Sequence, residues 1–270
     1  MSKLDQLCVI TDEISQDFEH ALDVALEYGV KNVDLRKIWS KNIVDFSDEE
    51  LKRLKEAVEK RHMKVCVITG PIGKTSFKKA EENLNNFDRI LEISDFFNTP
   101  LIRIFTIKIG LKSSEEKWNE MTRLLKPIVA KAEKLNKQLL VENDIGMNVA
   151  TIEQCKRFFN EINSPNVKLI LDPGNFYMVR EPTTPDVYEY FYEKDLVGHI
   201  HVKDPSRKLP IMGALFGVVG EGKIDYKALF KQAIEHEYKG YFSLETHSLR
   251  NREEISRKSL EYMKKWLEEL

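Results

Sequence analysis

Cysteine is scarce, no apolar run is long, neither sign of charge dominates and glycine never clusters; each shortage removes a class of protein. The three cysteines, Cys8, Cys66 and Cys155, stand far apart and form no CxxC. Neither a disulfide framework nor a structural zinc site is therefore expected; Cys8 and Cys155 lie in apolar runs and read as small core residues. No stretch approaches the roughly 20 apolar residues that span a bilayer. Residues Met1 to Gln6 lack the charged-then-apolar order of a signal peptide, so a cytoplasmic protein without membrane contact is expected. A formal net charge of −2 gives no basic excess to recruit nucleic acid. No linker rich in Pro, Gly and Ser divides the 270 residues, which points to one domain over 1–270.

What the sequence does contain is one unit repeated: a short apolar, β-branched run, a turn, then a longer segment with helical periodicity. The runs are Leu7–Ile10, Asn32–Leu35, Val65–Ile68, Leu101–Phe105, Gln138–Val141, Lys168–Leu171, Val197–Val202 and Tyr241–Leu244, eight in all. Between them Ser47 with Glu50, Ser113 with Glu116, and Thr151 with Gln154 fit capping boxes that open helices. Phe87, Ile90, Leu91 and Ser94 fall on one helical face, as do Leu124, Ile128, Ala132 and Leu135. Near-continuous apolar strands alternating with helices imply a parallel sheet covered by helices, and eight units in this length imply a closed (β/α)8 TIM barrel. A doubly wound sheet is the competitor, but Thr11-Asp12-Glu13-Ile14-Ser15 stands after the first strand where its glycine fingerprint belongs.

A barrel carries its chemistry where the strands end, and there the polar residues fall. Glu142 follows Leu139-Leu140-Val141, Asp172 follows Leu169-Ile170-Leu171, His199 and His201 lie in the seventh run, and Glu245 follows Phe242-Ser243-Leu244. Carboxylates leaving apolar strands side by side are costly unless a shared cation holds them. Glu142, Asp172, His201 and Glu245 are a ligand set for one divalent ion, Mn, Mg, Co or Zn. His199, two residues before His201, shares its face but lies deeper. His247 is a candidate neighbour of Glu245; His20, His62 and His236 sit in segments of helical pattern, as surface or packing residues.

The set Glu142, Asp172-Pro173-Gly174-Asn175, His199-Ile200-His201-Val202-Lys203-Asp204 with Arg207, Gly220-Glu221-Gly222 and Glu245 resembles the xylose isomerase-like TIM-barrel superfamily. Within it the sequence is most similar to ketose 3-epimerases of the D-tagatose/D-psicose and L-ribulose type, with inosose isomerases and dehydratases as near relatives. The resemblance implies one metal, Mn2+ foremost, on Glu142, Asp172, His201 and Glu245. It also implies that Glu142 and Glu245 are an acid/base pair inverting C3 of a ketose or keto-sugar acid through a metal-stabilised enediolate, and that Arg207 binds substrate. Asn175 stands where those epimerases have a histidine, and Asn148 where they have a substrate-binding glutamate, so the substrate shell departs from theirs.

Arg36, Arg103 and Arg180 join Arg207 as cations able to face the mouth, which would suit an anionic keto-sugar; the alternative is that Arg36 and Arg103 pair with Asp34, Glu13 or another strand-end acid. Phe216, Trp39 and Ile72 are candidates for an apolar wall or lid, and Pro210 to Gly220 for a mobile flap. Trp118 and Trp266 read as packing or subunit contacts. The expected partner is a small sugar or keto-sugar acid, and the expected assembly a homo-oligomer, dimer or tetramer. An inosose isomerase or dehydratase, or an aldose-ketose isomerase, would use much the same residues. An endonuclease IV-like phosphodiesterase would need more strand-end histidines than the six in the chain allow, and a basic surface. A barrel that only binds would have no use for the paired glutamates.

Overall fold

The computed structural model describes residues 2–108, 110, 114–209, 213–248 and 250–270, with the backbone alone for 207–209, 213 and 214. Its parallel strands are β1 (Leu7–Ile10), β2 (Asn32–Leu35), β3 (Lys64–Ile68), β4 (Leu101–Ile104), β5 (Gln138–Glu142), β6 (Val167–Leu171), β7 (Val197–Val202) and β8 (Phe242–Leu244). Each pairs with the next and β8 pairs with β1, closing a (β/α)8 barrel. Every residue of β1, β2 and β8 is buried, including the polar Asn32, Asp34 and Ser243.

The surrounding helices are α1 (Phe18–Glu27), α2 (Asp48–Lys60), α3 (Ala80–Asn85), α4 (Phe87–Phe96), α5 (Glu115–Lys134), α6 (Ile152–Ile162), α7 (Pro173–Met178), α8 (Glu189–Glu193), α9 (Tyr226–Glu235) and α10 (Arg252–Glu269). Capping boxes form at Ser47 and Thr151. Helix α5 starts one residue later than expected: Ser114 is its N-cap and accepts from the Lys117 amide, while Ser113 lies outside the described residues. Phe87, Ile90, Leu91 and Ser94 are buried on α4. Leu124, Ile128 and Ala132 are buried on α5, but Leu135 is 45% exposed because the helix has already ended at Lys134. His62 likewise lies past the end of α2, exposed and in the left-handed region at φ 52. Trp118 and Trp266 are buried packing residues. All three cysteines are free and buried.

Alternation along the strands sorts barrel-facing from helix-facing side chains. Inside the barrel Cys8, Cys66, Val67, Leu140 and Ile170 pack together, apart from the main core, with Leu101 against them. Asp34, Ser243 and His199 meet at the same depth: Ser243 Oγ donates to Asp34 Oδ2 at 2.6 Å, and His199 Nε2 lies 2.9 Å from that oxygen. Burial alone would raise the Asp34 carboxyl, but His199 and Ser243 outweigh it and hold it below the usual range. Two residues further along these strands stand Arg36, Arg103, Glu142, Asp172, His201 and Glu245. One parity rule therefore builds both the barrel floor and the layer above it.

Past β7 the chain forms a two-stranded antiparallel hairpin, Asp204–Leu209 with Gly213–Gly217. It covers the described part of the expected flap; Pro210 to Met212 lie outside the described residues. Its base is clasped by Asp204, whose carboxylate accepts from the amides of Gly220, Gly222, Lys223 and Ile224 at 2.8–3.1 Å. A β-carbon on Gly222 would fall 2.1 Å from Asp204 Oδ1, so the Lys-Asp and Gly-Glu-Gly pieces of the motif are two halves of one joint.

Candidate metal centre at the strand ends

The loop after β6 is built around Asp172. As N-cap of α7 it accepts from the Asn175 amide at 2.9 Å through Oδ1, with Pro173 at the first helical position, where a missing N–H costs nothing. Asn143, one residue past Glu142, locks β5 to this loop: its Oδ1 accepts from the Asp172 amide and its Nδ2 donates to the Asp172 carbonyl, both at 3.0 Å. Asn175 Nδ2 then lies 3.2 Å from Glu142 Oε1, 3.0 Å from Asp172 Oδ2 and 2.8 Å from the Asn143 carbonyl. Asn175 thus orients two of the predicted ligands.

Each carboxylate has one oxygen anchored outward and one turned toward His201. Glu142 Oε2 accepts from Arg103 Nη1 at 3.0 Å, while Oε1 lies 3.5 Å from His201 Nδ1. Glu245 Oε1 accepts from Arg36 Nη1 at 2.6 Å, while Oε2 lies 3.3 Å from His201 Nδ1. Asp172 Oδ2 lies 3.8 Å from the same nitrogen. One ligand atom from each of Glu142, Asp172, His201 and Glu245 falls within 4.8 Å of the others, and all four residues are buried. The structure therefore brings the four predicted residues together.

The group fits a divalent cation on two observations. Neither His201 ring nitrogen has a hydrogen-bond partner, although the ring is fully buried, and such an orphan needs a compensating interaction. The layer also holds five carboxylates, Asp12, Glu13, Glu142, Asp172 and Glu245, against three fixed cations, Arg36, Arg103 and Lys203, so with a neutral, metal-binding His201 the acids are in excess by two. The electrostatics agree. Burial would raise Glu142, but Arg103 and His201 hold it far below the usual carboxylate range against the push of Glu245. Burial would raise Glu245 too, and His247, Lys203 and His201 hold it well below. Burial would lower His201, yet Glu245 and Glu142 raise it well above the usual imidazole range. Three carboxylates and one imidazole suit a hard or borderline ion of the Mn or Mg type.

The remaining predicted residues take varied places. Arg36 faces the mouth but is held by acids on three sides: Asp12 at 2.8 Å, Glu13, and Glu245. Arg103 pairs with Glu142 and donates to the Thr69 carbonyl at 2.7 Å. His199 lies one layer below, with its ring edge-on to His201 at 5.4 Å. Asn148 donates to the carbonyls of Thr106 and Ile107 at 3.3 and 2.9 Å, which ties down the loop after β4, and it lines a separate hollow with Ser114 and Gln154. Arg180 is exposed beyond α7 in a left-handed turn, and the side chain of Arg207 lies outside the described residues. His247 Nε2 is 3.1 Å from Glu245 Oε1. Of the three wall candidates Phe216 stands over the cluster, its ring 5.8 Å from Lys203 Nζ and 6.0 Å from His247. Trp39 instead stacks on Phe46 at 5.7 Å, and Ile72 is fully buried in the main core.

In the sequence Lys203 figures only as part of the motif, with no role of its own. Its ammonium, fully buried, donates to Asp172 Oδ2 at 2.7 Å and Glu245 Oε2 at 2.9 Å. The signal was present, since 199, 201 and 203 share one parity on β7. Glu13, expected among the acids able to partner Arg36, does pair with it; beyond that, its Oε2 accepts from Thr246 Oγ1 at 2.9 Å and the His247 amide at 2.8 Å, which fixes the chain just past Glu245. Gly174 makes room for Lys203: a β-carbon there would fall 2.5 Å from Lys203 Cγ and 2.7 Å from its carbonyl oxygen. Gly174→Ala is expected to lower stability by about 1–3 kcal/mol through overpacking and to weaken metal binding, read by thermal melts and a Mn2+ titration.

Comparison with known proteins places this geometry. An inosose dehydratase of Clostridium perfringens is 25% identical over 248 residues, covering 80% of this chain and 81% of that protein. Against the other inosose dehydratases it matches first, the chain spans about half of their length. Among solved structures, the probable 3-DHS dehydratase of Bacillus anthracis superposes with a TM-score of 0.76 at 17% identity, over 95% of this chain and 97% of that one. The 3-keto-D-glucoside 4-epimerase of E. coli does so with a TM-score of 0.74 at 17% identity, over 96% and 98%. Residues 22–266 match the family model described as the xylose isomerase-like TIM barrel, and the chain belongs to that family.

Proposed function

We propose that this protein is an enzyme that removes the proton beside the ketone of a sugar or keto-sugar acid and returns one to the opposite face, an epimerisation. The observation that carries this reading is the pair Glu142 and Glu245. They reach one point from strands three apart around the barrel, each with one oxygen anchored by an arginine and the other turned inward.

A divalent ion on Glu142, Asp172, His201 and Glu245, Mn2+ in the first instance, supplies Lewis-acid stabilisation of negative charge on the substrate's neighbouring oxygens. The residues do the rest. One glutamate takes the C–H proton, and the electron pair moves into a carbon–carbon double bond as the carbonyl oxygen becomes an enediolate. The other glutamate, ionised at rest, takes a proton from solvent and passes it to the far side, and exchange with solvent resets the pair. Arg103 and Arg36 fix the two carboxylates in place, and Phe216 shields the point from above.

A second reading shares the first step and then expels hydroxide from the next carbon, a dehydration. It is favoured by the curated relatives, which are inosose dehydratases. One experiment tests both: the Mn2+-loaded protein is incubated in D2O with ketoses, keto-sugar acids and inososes, and the products are read by NMR. Epimerisation gives an inverted carbon bearing deuterium; dehydration gives an unsaturated product lacking one water. If no substrate acquires deuterium or loses water, the enolisation chemistry is wrong.

A further inference from the structure

Beside the cluster lies a cavity of about 990 Å3, lined on one side by Glu13, Arg36 and His247, the residues that touch one another or Glu245. It borders the cluster through these residues, although Glu142, Asp172, His201 and Glu245 are not themselves part of its lining. Its volume stands at the top of the roughly 300–1,000 Å3 that enclose drug-sized ligands, far more than one sugar ring fills.

The chemistry of its far wall is specific. Leu215, Phe216 and Ile255 make it apolar, and Leu215 is 44% exposed there. Lys37, Arg250 and Arg252 also line it, and none has a carboxylate partner among the described residues. Arg252 donates only to the carbonyls of Asp12 and Ser248, at 2.8 and 3.2 Å, so its charge stays uncompensated. The acids in the lining are already held: Asp12 and Glu13 by Arg36, and Glu254 by Lys258 at 2.8 Å. The cations at the cluster itself, Arg36 and Arg103, are neutralised, so positive potential resides in this outer wall.

We propose that this cavity is a second subsite for an anionic group carried on an apolar or aromatic link, so that the substrate is an anionic conjugate of a sugar or polyol ring. Only the identity of the ring on the cluster rests on the enolisation reading; the outer subsite stands on its own residues. The unpaired guanidinium and ammonium groups take a carboxylate or phosphate, and the Phe216 face takes the link.

Binding, not turnover, tests it. The Mn2+-loaded protein is titrated calorimetrically at low salt with 4-carboxyphenyl β-D-glucoside and with phenyl β-D-glucoside. The carboxylated probe is expected to bind about tenfold more tightly, the worth of one charge-assisted contact. That advantage should vanish in the double variant Lys37→Gln, Arg250→Gln. It should persist in Lys60→Gln, which removes a positive charge in the last turn of α2, at the opposite face of the barrel. Equal affinity for the two probes, binding of neither, or an equal loss in Lys60→Gln overturns the subsite. Absence of turnover on sugars would overturn the enolisation reading and leave this result intact.

Discussion

Glu142→Gln and Glu245→Gln are each expected to abolish turnover, with losses of about 10²–10⁴-fold or more, since positioned proton transfer contributes about that much. Glutamine keeps the shape of the side chain and one oxygen for the arginine that anchors it, Arg103 for Glu142 and Arg36 for Glu245. It removes the basic oxygen facing His201 and puts an amide in its place. Because the two residues act as a unit, the double variant should be little worse than the poorer single one. Each is also a candidate ligand, so metal content is measured beside activity. The decisive signal is exchange of the substrate's C–H with D2O; either variant exchanging at close to the wild-type rate would remove that glutamate from the reaction.

The largest effect on stability should come from Lys203→Met. Methionine fills the space of the lysine stem but leaves Asp172 and Glu245 buried without their shared ammonium. Breaking a buried ion pair from one side costs about 3–5 kcal/mol. In a chain of this size that lowers the melting temperature by about 10 °C, at roughly 2–4 °C per kcal/mol. Mn2+ should restore more stability to this variant than to the wild type, because the ion then answers a larger charge deficit. Melts in EDTA and in Mn2+ check both parts. A variant melting within about 2 °C of wild type in EDTA would show that Lys203 carries no such load.

The barrel was legible because a parallel strand covered on both faces reads as a largely apolar run, and eight such runs recur with a helical segment between each pair. The cluster was legible for a related reason: a carboxylate directly after a mostly apolar run announces where each of β5, β6 and β8 finishes. What stayed hidden was pairing across the barrel. Arg36 and Glu245 meet although they lie 209 positions apart, and while Glu13 could be offered as a partner of that arginine, nothing local in Asp12 marks it as a second holder. Asn148 looked like a substrate residue by its place after Glu142, yet its amide is taken by the Thr106 and Ile107 carbonyls. Lys203 was legible within the motif but not in its role, since its place at the site shows only when parity is followed past His201.

The Asp204 clasp has a consequence for how such a protein can change. One carboxylate gathers the four amides that bring the chain back after the hairpin, while the candidate ligands sit at the strand ends beneath. The hairpin is thereby an exchangeable part: its ends are pinned, and what lies between them can be lengthened, shortened or rewritten without moving Glu142, Asp172, His201 or Glu245. A lineage can retool what it accepts while its reaction stays the same.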